Sequence, residues 1–311
     1  MDIKGLIRHR PGLYRFLMNG VEKFNAFRWN LAFKGYFGGT EGLIAREYKK
    51  NTGESLRIPP VSYTEKIQFA KVYESTPLKG ELSDKYSVRK WVASKIGEQY
   101  LIPLLGVWEK YEEINFDELP EQFVLKTSQS SGTNVIVLDK RKIDHCALRK
   151  KFNFWVKQNW AFAGKGFEMH YQYIHPRIIA EKYVTDSNGE LNDYKFLCFN
   201  GKPCYVWVDI GRRTDHRRNV YDMDWNLQSW RQYTYKNSDQ PIPKPARFDD
   251  MVELVEVLCE GFDHVRVDLY YVDGSIYFGE MTFTNGKGYE LIIPPEANDM
   301  LGAMWNQNIE K

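Results

Sequence analysis

The sequence predicts an α+β fold in which mostly antiparallel sheets are flanked by helices. Residues 62–100 carry apolar side chains at helical spacing, whereas the chain from Phe123 onward contains many short apolar segments typical of strands. Two connections, Asn200-Gly201 and Asp273-Gly274, are dipeptides that favour tight hairpin turns and therefore antiparallel pairing. The sequence contains no internal repeat.

The composition of the 311 residues excludes several classes of protein. Hydrophobic residues make up 43% and charged residues 27%, which supplies a core and rules out a disordered chain. Lys and Arg number 43 against 41 Asp and Glu, and this balance does not favour nucleic acid as a partner. The four cysteines lack CxxC spacing, and residues 101–108 are the longest apolar run. No signal peptide is recognised, so we expect a cytoplasmic protein.

The first 60 residues form a region of their own because of their positive charge. Residues 1–50 contain ten Lys and Arg against four Asp and Glu, a net charge of +6. Large apolar residues alternate with these bases, which predicts a basic amphipathic helix. Two interpretations stay open: contact with an anionic membrane surface, or packing on the protein's own domain. We expect residues 61–118 to be a helical lead-in and residues 119–300 to be the core domain.

Local signals place the elements that follow. Ser62 is expected to cap one helix, and Ser83-Asp84 to open a second that ends at Gly97. Further helices are predicted over residues 144–160 and 249–262. Strands are predicted over residues 101–108, 123–126, 134–138, 178–184, 194–200, 203–210, 265–271 and 276–281.

The segment 123–137 contains the first candidate site. A strand ends on Lys126, a loop of small polar residues follows, and a second strand returns. Small side chains let backbone amides approach an anion, and the lysine adds a positive charge. The Walker A pattern GxxxxGK[ST] is absent, so the segment is not a P-loop. An ordinary polar hairpin is the alternative.

The segment 266–282 contains a candidate magnesium site. Asp268 and Glu280 lie on the two strands of a predicted hairpin, and oxygen ligands of this kind suit Mg²⁺. Strand side chains alternate, so a two-residue turn would put the two carboxylates on opposite faces. A three-residue loop, Val272 to Gly274 with Gly274 at positive φ, would put them on one face. We therefore expect the three-residue loop. Two unrelated surface carboxylates are the alternative.

Charged residues elsewhere suggest further contacts. An apolar strand ends in Glu181-Lys182, and Asp193 follows in the next strand. Arginine side chains suit phosphate and carboxylate groups, and a basic loop at residues 211–219 supplies a tentative set of substrate contacts: Arg212, Arg213, His216, Arg217 and Arg218. Asp222-Met223-Asp224 matches the DxD motif of glycosyltransferases, but the following Trp225-Asn226 favours a turn.

In their order along the chain these features resemble the ATP-grasp fold, and more closely the TupA-like ATP-grasp family of bacterial cell-surface polysaccharide clusters. The resemblance extends over roughly residues 60–290. The stretches that carry it are 63–68 (YTEKIQ), 84–89 (DKYSVR), 100–106 (YLIPLLG), 176–181 (PRIIAE), 193–196 (DYKF), 199–202 (FNGK) and 277–284 (YFGEMTFT).

The resemblance implies a role for each matched residue. The ATP phosphates would be held by two lysines and a flexible loop: Lys85, Lys126, Ser130, Ser131, Gly132 and Thr133. Adenine would be bound by a hinge formed by Glu181, Lys182, Tyr183 and Val184. The ribose would be bound by a downstream acid, Asp193. Mg²⁺ would be bound by Asp268, Glu280 and Thr282, and the transferred phosphoryl group would face Arg266 and Lys126. Many ATP-grasp ligases carry Glu-x-Asn at the metal, whereas this chain has Glu280-Met281-Thr282.

The resemblance also implies an activity. It implies an ATP- and Mg²⁺-dependent ligase that activates a carboxylate as an acyl phosphate and forms an amide (C–N) bond. Its substrate would be an acidic sugar or an amino acid, used on a capsule or another surface polysaccharide or its precursor. The protein would then contact the inner face of the bacterial membrane peripherally, or a polysaccharide synthesis complex. Three alternatives stay open: an ATP-grasp-type sugar or glycan kinase, a DxD glycosyltransferase, and a non-catalytic nucleotide-binding subunit.

Overall fold

The computed structural model describes residues 11–163, 166–187, 189, 191–212 and 214–307. The helices are α1 (Pro11–Phe33), α2 (Gly39–Thr52), α3 (Tyr63–Tyr73), α4 (Pro77–Ser83), α5 (Val88–Ile96), α6 (His145–Trp155), α7 (Trp160–Ala163), α8 (Phe248–Cys259) and α9 (Pro295–Ala303). The strands are β1 (Leu104–Trp108), β2 (Phe123–Thr127), β3 (Asn134–Val137), β4 (Ile178–Lys182), β5 (Asp193–Phe199), β6 (Lys202–Ile210), β7 (Arg217–Asp222), β8 (Arg231–Gln232), β9 (His264–Val272), β10 (Ser275–Thr282) and β11 (Ile292–Ile293).

The strands form two large antiparallel sheets. One has four strands in the order β1-β4-β2-β3, and the other has five in the order β10-β9-β5-β6-β7. Every pairing within them is antiparallel. The strands β8 and β11 form a short third sheet. The predicted α+β architecture with mostly antiparallel sheets is therefore confirmed.

The core lies on both faces of the five-stranded sheet. On one face Met251 and Val255 of α8 pack with Phe196 and Val267. On the other face Tyr63 of α3, Leu301 of α9 and Trp305 after α9 pack with three strand residues, Leu197, Phe199 and Trp207. Because strand side chains alternate, Leu197 lies on the same face as Lys195 and Asp193. That face is thus apolar toward the end of β5 and charged at its beginning.

The helices begin and end where capping groups are present. The side chain of Ser62 accepts from the amide of Glu65, and the Ser62 amide donates to Glu65 Oε2 at 2.8 Å, so Ser62 caps α3 as predicted. The second predicted helix is divided: α4 ends at Ser83 and α5 begins at Val88. Asp84 Oδ1 accepts from the amide of Ser87 at 2.7 Å and holds the intervening turn.

The N-terminal pair α1 and α2 packs on the rest of the chain. Asn25 Nδ2 donates to the carbonyl of Phe162 at 2.8 Å, and the Trp29 ring stacks on Phe167 at 5.9 Å between centroids. The opposite side of α1 exposes aromatic residues, with Phe16 75% and Phe27 60% exposed. Across the described part of the chain, no helix has the length and apolar character needed to cross a bilayer.

Candidate functional site

A slot between the two sheets has the size and lining expected for a planar base. Its volume is about 250 Å³. Apolar walls come from both sheets and from the segment before β1: Ile102, Val124, Ile136, Leu191 and Tyr270. The end of β4 and the next residues run along the slot, and all four residues predicted as the hinge line it: Glu181, Lys182, Tyr183 and Val184.

Lys126 also lines this slot. The antiparallel pairing of β2 with β4 puts Lys126 opposite Ile179 and Glu181 opposite Val124, so Lys126 and Glu181 share a face. Lys126 Nζ donates to Glu181 Oε2, and Arg89 is 3.5 Å from the other carboxylate oxygen. A phosphate that bound Lys126 would compete with Glu181, whose charge Arg89 would still balance.

The small-residue loop after β2 lies beside Lys85. Lys85 Nζ donates to the carbonyl of Ser130 at 2.5 Å, and the hydroxyls of Thr127, Ser130 and Thr133 bond to one another. Burial lowers the pKa of the Lys85 ammonium. Ser131 and Gly132 at the loop tip are exposed, and Gly132 has a φ of 72°. The structure thus brings both predicted phosphate lysines to the same loop, where an anion would gain two positive charges.

Charged side chains line a second, polar pocket next to the slot. Its volume is about 390 Å³, and Arg212 lines both cavities. In the register of the five-stranded sheet Lys195 lies opposite Asp268, and Asp193 lies opposite Asp209. Lys195 Nζ is 2.5 Å from Asp193 Oδ2, 2.7 Å from Asp268 Oδ2 and 4.0 Å from Asp209 Oδ2. Asp193 Oδ1 is buried and finds no hydrogen-bond partner among the described residues, and Asp193 itself is not part of the lining of either cavity.

The sequence analysis missed Lys195 and Asp209 as site residues. Each is a buried charged residue with apolar neighbours on both sides in its strand, and a charge in such a setting is the signal that could have identified them.

The hairpin of β9 and β10 corrects one prediction. Val272 pairs with Ser275, so the turn has two residues, Asp273 and Gly274, with φ of 47° and 85°. The predicted three-residue loop is wrong, although Gly274 does have the expected positive φ. The two carboxylates still share a face, because Gly279 forms a β-bulge that inserts one unpaired residue between the pairs Leu269–Phe278 and Asp268–Glu280.

Arg266 joins the two carboxylates of the hairpin. Its guanidinium donates to Asp268 Oδ1 at 2.7 Å, to Asp268 Oδ2 at 2.8 Å and to Glu280 Oε1 at 2.7 Å. Burial alone would raise the pKa of Asp268, but Arg266 and Lys195 outweigh it and lower this pKa to about 2. Thr282 Oγ1 donates to Glu280 Oε1 at 3.2 Å. Asp268 therefore stays ionised across the physiological pH range.

The oxygen atoms around Arg266 fit a magnesium ion bound together with a nucleotide. Within the described ranges no three His, Cys, Asp or Glu side chains form a metal-binding group. Magnesium in nucleotide sites usually takes one or two protein carboxylates and completes its shell with phosphates and water. Asp268 and Glu280 would be such carboxylates, and Thr282 and Asn285, which line the polar pocket, would add neutral oxygens. Asn285, whose Oδ1 accepts from Arg266, was missed because it lies beyond the Glu-x-Asn spacing.

The basic loop contributes only part of the predicted substrate set. Arg212, His216 and Arg218 line the polar pocket. Arg217 instead points to the other side of β7, where it pairs with Asp215 at 2.7 Å and with Asp239 at 3.3 Å. Adjacent strand residues face opposite ways, which is why Arg217 and Arg218 separate. Arg213 lies outside the described residues.

The DxD segment has a structural explanation. Asp222 accepts from the amides of Asp224 and Asn226 and from the side chains of Asn226 and Gln228. Trp225 adopts a φ of 67° in the turn that this network holds. Both oxygens of Asp222 are therefore used locally.

Comparison with known proteins agrees with this geometry. A family model described as TupA-like ATPgrasp matches residues 65–306. A search of curated proteins gave no match. Among solved structures, the D-alanine–D-alanine ligase from Bacillus anthracis is 19% identical, with a TM-score of 0.42, over 73% of this chain and 64% of that one. The L-amino acid ligase from Bacillus licheniformis is 13% identical, with a TM-score of 0.46, over 80% and 56%.

This chain thus spans less than two thirds of the length of either ligase. The family model covers most of the chain, and the two antiparallel sheets with flanking helices are the architecture expected from the sequence. Both the suspected family and the predicted ATP-grasp fold are confirmed. The chain belongs to the TupA-like ATP-grasp family.

Proposed function

We propose that this protein is an ATP- and Mg²⁺-dependent carboxylate–amine ligase that modifies a bacterial surface polysaccharide or its precursor. The observation that carries the proposal is the pair of adjoining cavities that share Arg212. One is an apolar slot suited to a base, and the other is a polar pocket rich in both charges. Family membership supports the reaction class, because ligation is common among ATP-grasp proteins.

The nucleotide would lie across the two cavities. Adenine would pack with one face on Val124 and Ile136, which are neighbours on β2 and β3, and with the other toward Tyr270 of β9. The backbone after Glu181 would run along its edge. Asp193, whose buried Oδ1 has no hydrogen-bond partner among the described residues, would accept a hydrogen bond from a ribose hydroxyl. Lys85, Lys126 and the loop amides would then bind the phosphates, since they lie between the slot and the polar pocket.

The reaction requires charge neutralisation rather than a protein nucleophile. A substrate carboxylate attacks the γ-phosphorus of ATP, and the bond to the β-phosphate oxygen breaks, which gives an acyl phosphate and ADP. An amine then attacks the acyl carbon and phosphate leaves. Arg266 and Lys195 supply fixed positive charge where the transferred group carries negative charge. A magnesium ion held by Asp268 and Glu280 would neutralise the phosphates further.

The acceptor side of the polar pocket suits an anionic substrate. Lys195, Arg212, His216, Arg218 and Arg266 all line it. Arg218 is held by Asp209 at 2.5 Å and 2.7 Å and lies over the Tyr235 ring at 4.1 Å, so its guanidinium is fixed in place. Both a hexuronic acid and an amino acid carry the carboxylate that such a pocket would bind.

The exposed side of α1 suits an anionic membrane surface, which would bring the enzyme to lipid-linked precursors at the cytoplasmic face. Phe16 and Phe27 are separated by about three helical turns, and the exposed Lys23 and Lys34 lie on the same side. Apolar rings and lysines together favour binding at an anionic lipid interface.

Release of ADP, measured against a panel of uronic acids and amino acids, tests the proposed reaction. Hydroxylamine is added as the amine, because it converts an acyl phosphate into a stable hydroxamate and phosphate. We expect carboxylate-dependent ADP release with hydroxamate formation. Phosphate retained on the product would indicate a kinase instead, and nucleotide binding without any turnover would indicate a non-catalytic subunit.

A further inference from the structure

A third cavity of about 930 Å³ lies between the N-terminal helix α1 and helix α6. Ser131 and Trp160 line both this cavity and the polar pocket, so the two adjoin at the tip of the small-residue loop. The cavity is more than twice as large as the polar pocket, whose volume is about 390 Å³. It therefore has room for a ligand that extends well beyond the reacting group.

Helix α1 is held in place as one wall of this cavity. Glu22 Oε1 accepts from the amide of Asn159 at 3.2 Å, and Arg15 donates to the carbonyl of Lys150 at 3.2 Å. The Tyr14 ring meets Phe154 edge-on at 6.4 Å between centroids. Helix α1 therefore supplies a wall from outside residues 65–306, the part matched by the family model, whereas the rest of the lining lies within that part.

The lining combines flat rings with positive charge. Four aromatic side chains contribute to it: Tyr14, Phe154, Trp155 and Trp160. Arg15, Lys150 and Lys151 also line it, and among the described residues of the lining Asp144 is the one acid. Lys151 Nζ lies 4.8 Å from the centre of the Trp155 ring, so cation and ring are presented together. Rings can pack on the apolar faces of sugars, and ammonium groups can pair with the carboxylates of uronic acids.

We propose that this aromatic and basic cavity binds an acidic sugar chain, the polymeric substrate of the ligase, and passes its reacting end to the polar pocket past Ser131 and Trp160. This assignment rests on the proposed function, and it adds the place and the chemical class of the larger substrate. It also explains why an ATP-grasp chain carries a packed N-terminal helix beside its phosphate loop.

Binding of a hexuronic acid tetramer, measured by calorimetry without ATP, tests the proposal directly. The full chain should bind this tetramer more tightly than a neutral tetramer of the same length. Reversing both exposed lysines, Lys150→Glu with Lys151→Glu, should weaken binding about tenfold or more. The matched control, Lys142→Glu with Lys157→Glu, makes the same charge change at exposed positions outside the cavity and should leave binding unchanged. Tyr14→Ala at the exposed rim should weaken binding of both tetramers.

Several outcomes would overturn the proposal. Failure of the wild-type chain to bind the acidic tetramer would do so, as would equal weakening by the two lysine pairs, which would mean a general surface charge effect. Tighter binding of a single-stranded oligonucleotide of equal charge would assign the cavity to another ligand. ATP binding by the Lys150 and Lys151 variant serves as the folding control.

The proposed reaction can fail separately from this assignment. If the tetramer binds and this binding depends on Lys150 and Lys151, but no carboxylate gives a hydroxamate, the assignment of the cavity stands and the proposed ligase reaction is wrong. If a monomeric acid gives a hydroxamate but the tetramer does not bind in the cavity, the proposed ligase reaction stands and the assignment of the cavity is wrong.

Discussion

Replacement of Lys195 by methionine removes the buried cation between Asp193 and Asp268. Lys195 Nζ is 2.5 Å and 2.7 Å from these carboxylates, and only 8% of its side chain is exposed. Removing one partner of a buried ion pair typically costs about 3–5 kcal/mol, because a buried charge is left uncompensated. Arg266 and Arg212 still balance part of the charge, so we expect the free energy of unfolding at pH 7 to fall by about 2–4 kcal/mol.

This loss should become smaller as the pH falls. Burial already raises the pKa of Asp193 in the wild type, and without Lys195, its main counter-charge, this pKa rises further. A carboxyl with a higher pKa in the folded state binds its proton more tightly when folded, so protonation stabilises the fold. This stabilisation is complete at pH values below the pKa that the carboxyl has in the unfolded chain. It is lost as the pH rises through the pKa that the carboxyl has in the folded protein. The deficit should therefore be smaller at about pH 5 than at pH 7.

Urea unfolding followed by tryptophan fluorescence at both pH values measures the effect. Lys202→Met, at an exposed position on β6, is the matched control and should change stability little. Adding Asp193→Asn to Lys195→Met should recover part of the loss, because it removes the unpaired charge. A loss below about 1 kcal/mol, or one that is equal at both pH values, would refute the view that Lys195 neutralises the buried carboxylates.

Three further predictions follow from the site and from α1. Lys126→Ala should weaken ATP binding by about 2–4 kcal/mol in calorimetric titration, whereas Asp222→Ala should barely change it; equal losses would mean that the nucleotide lies elsewhere. Glu280→Gln should retain the fold by circular dichroism but raise the Mg²⁺ concentration needed for ADP release and slow the reaction; an unchanged Mg²⁺ dependence would remove Glu280 from the metal site. Full-length protein should float with anionic liposomes at low salt and less at high salt, and Phe16→Ser with Phe27→Ser should reduce flotation; protein that remains at the bottom under all conditions would contradict membrane binding.

Local sequence patterns were sufficient for most of the elements. The cap at Ser62, the hairpin turn at Asn200-Gly201 and the amphipathic helix around Met251 depend on residues close together in the chain. Helix ends were less accurate: residues 144–160 form α6 and then α7, and α8 ends at Cys259. Ends depend on which polar groups reach the last backbone amides and carbonyls, and those groups often come from other elements.

The family also followed from sequence, because its motifs are short stretches whose order along the chain is specific. The sequence alone identified only part of the charged network in the polar pocket. Asp268, Glu280 and Arg266 stood out within their motifs, whereas Lys195 and Asp209 become site residues only when β5 lies between β6 and β9. Strand order is a long-range property, and neither residue carries a local signal for it.

The hairpin of β9 and β10 contains a feature that local sequence patterns could not locate. The alternation of strand side chains correctly required one extra residue between Asp268 and Glu280, but could not say where it lies. In the folded chain it is Gly279, where an added Cβ would meet the Asp268 carbonyl at 3.0 Å and the Tyr270 ring at 3.1 Å. The chain can place its extra residue here because glycine leaves room for that close approach, and the close approach exists only when the strands are packed together.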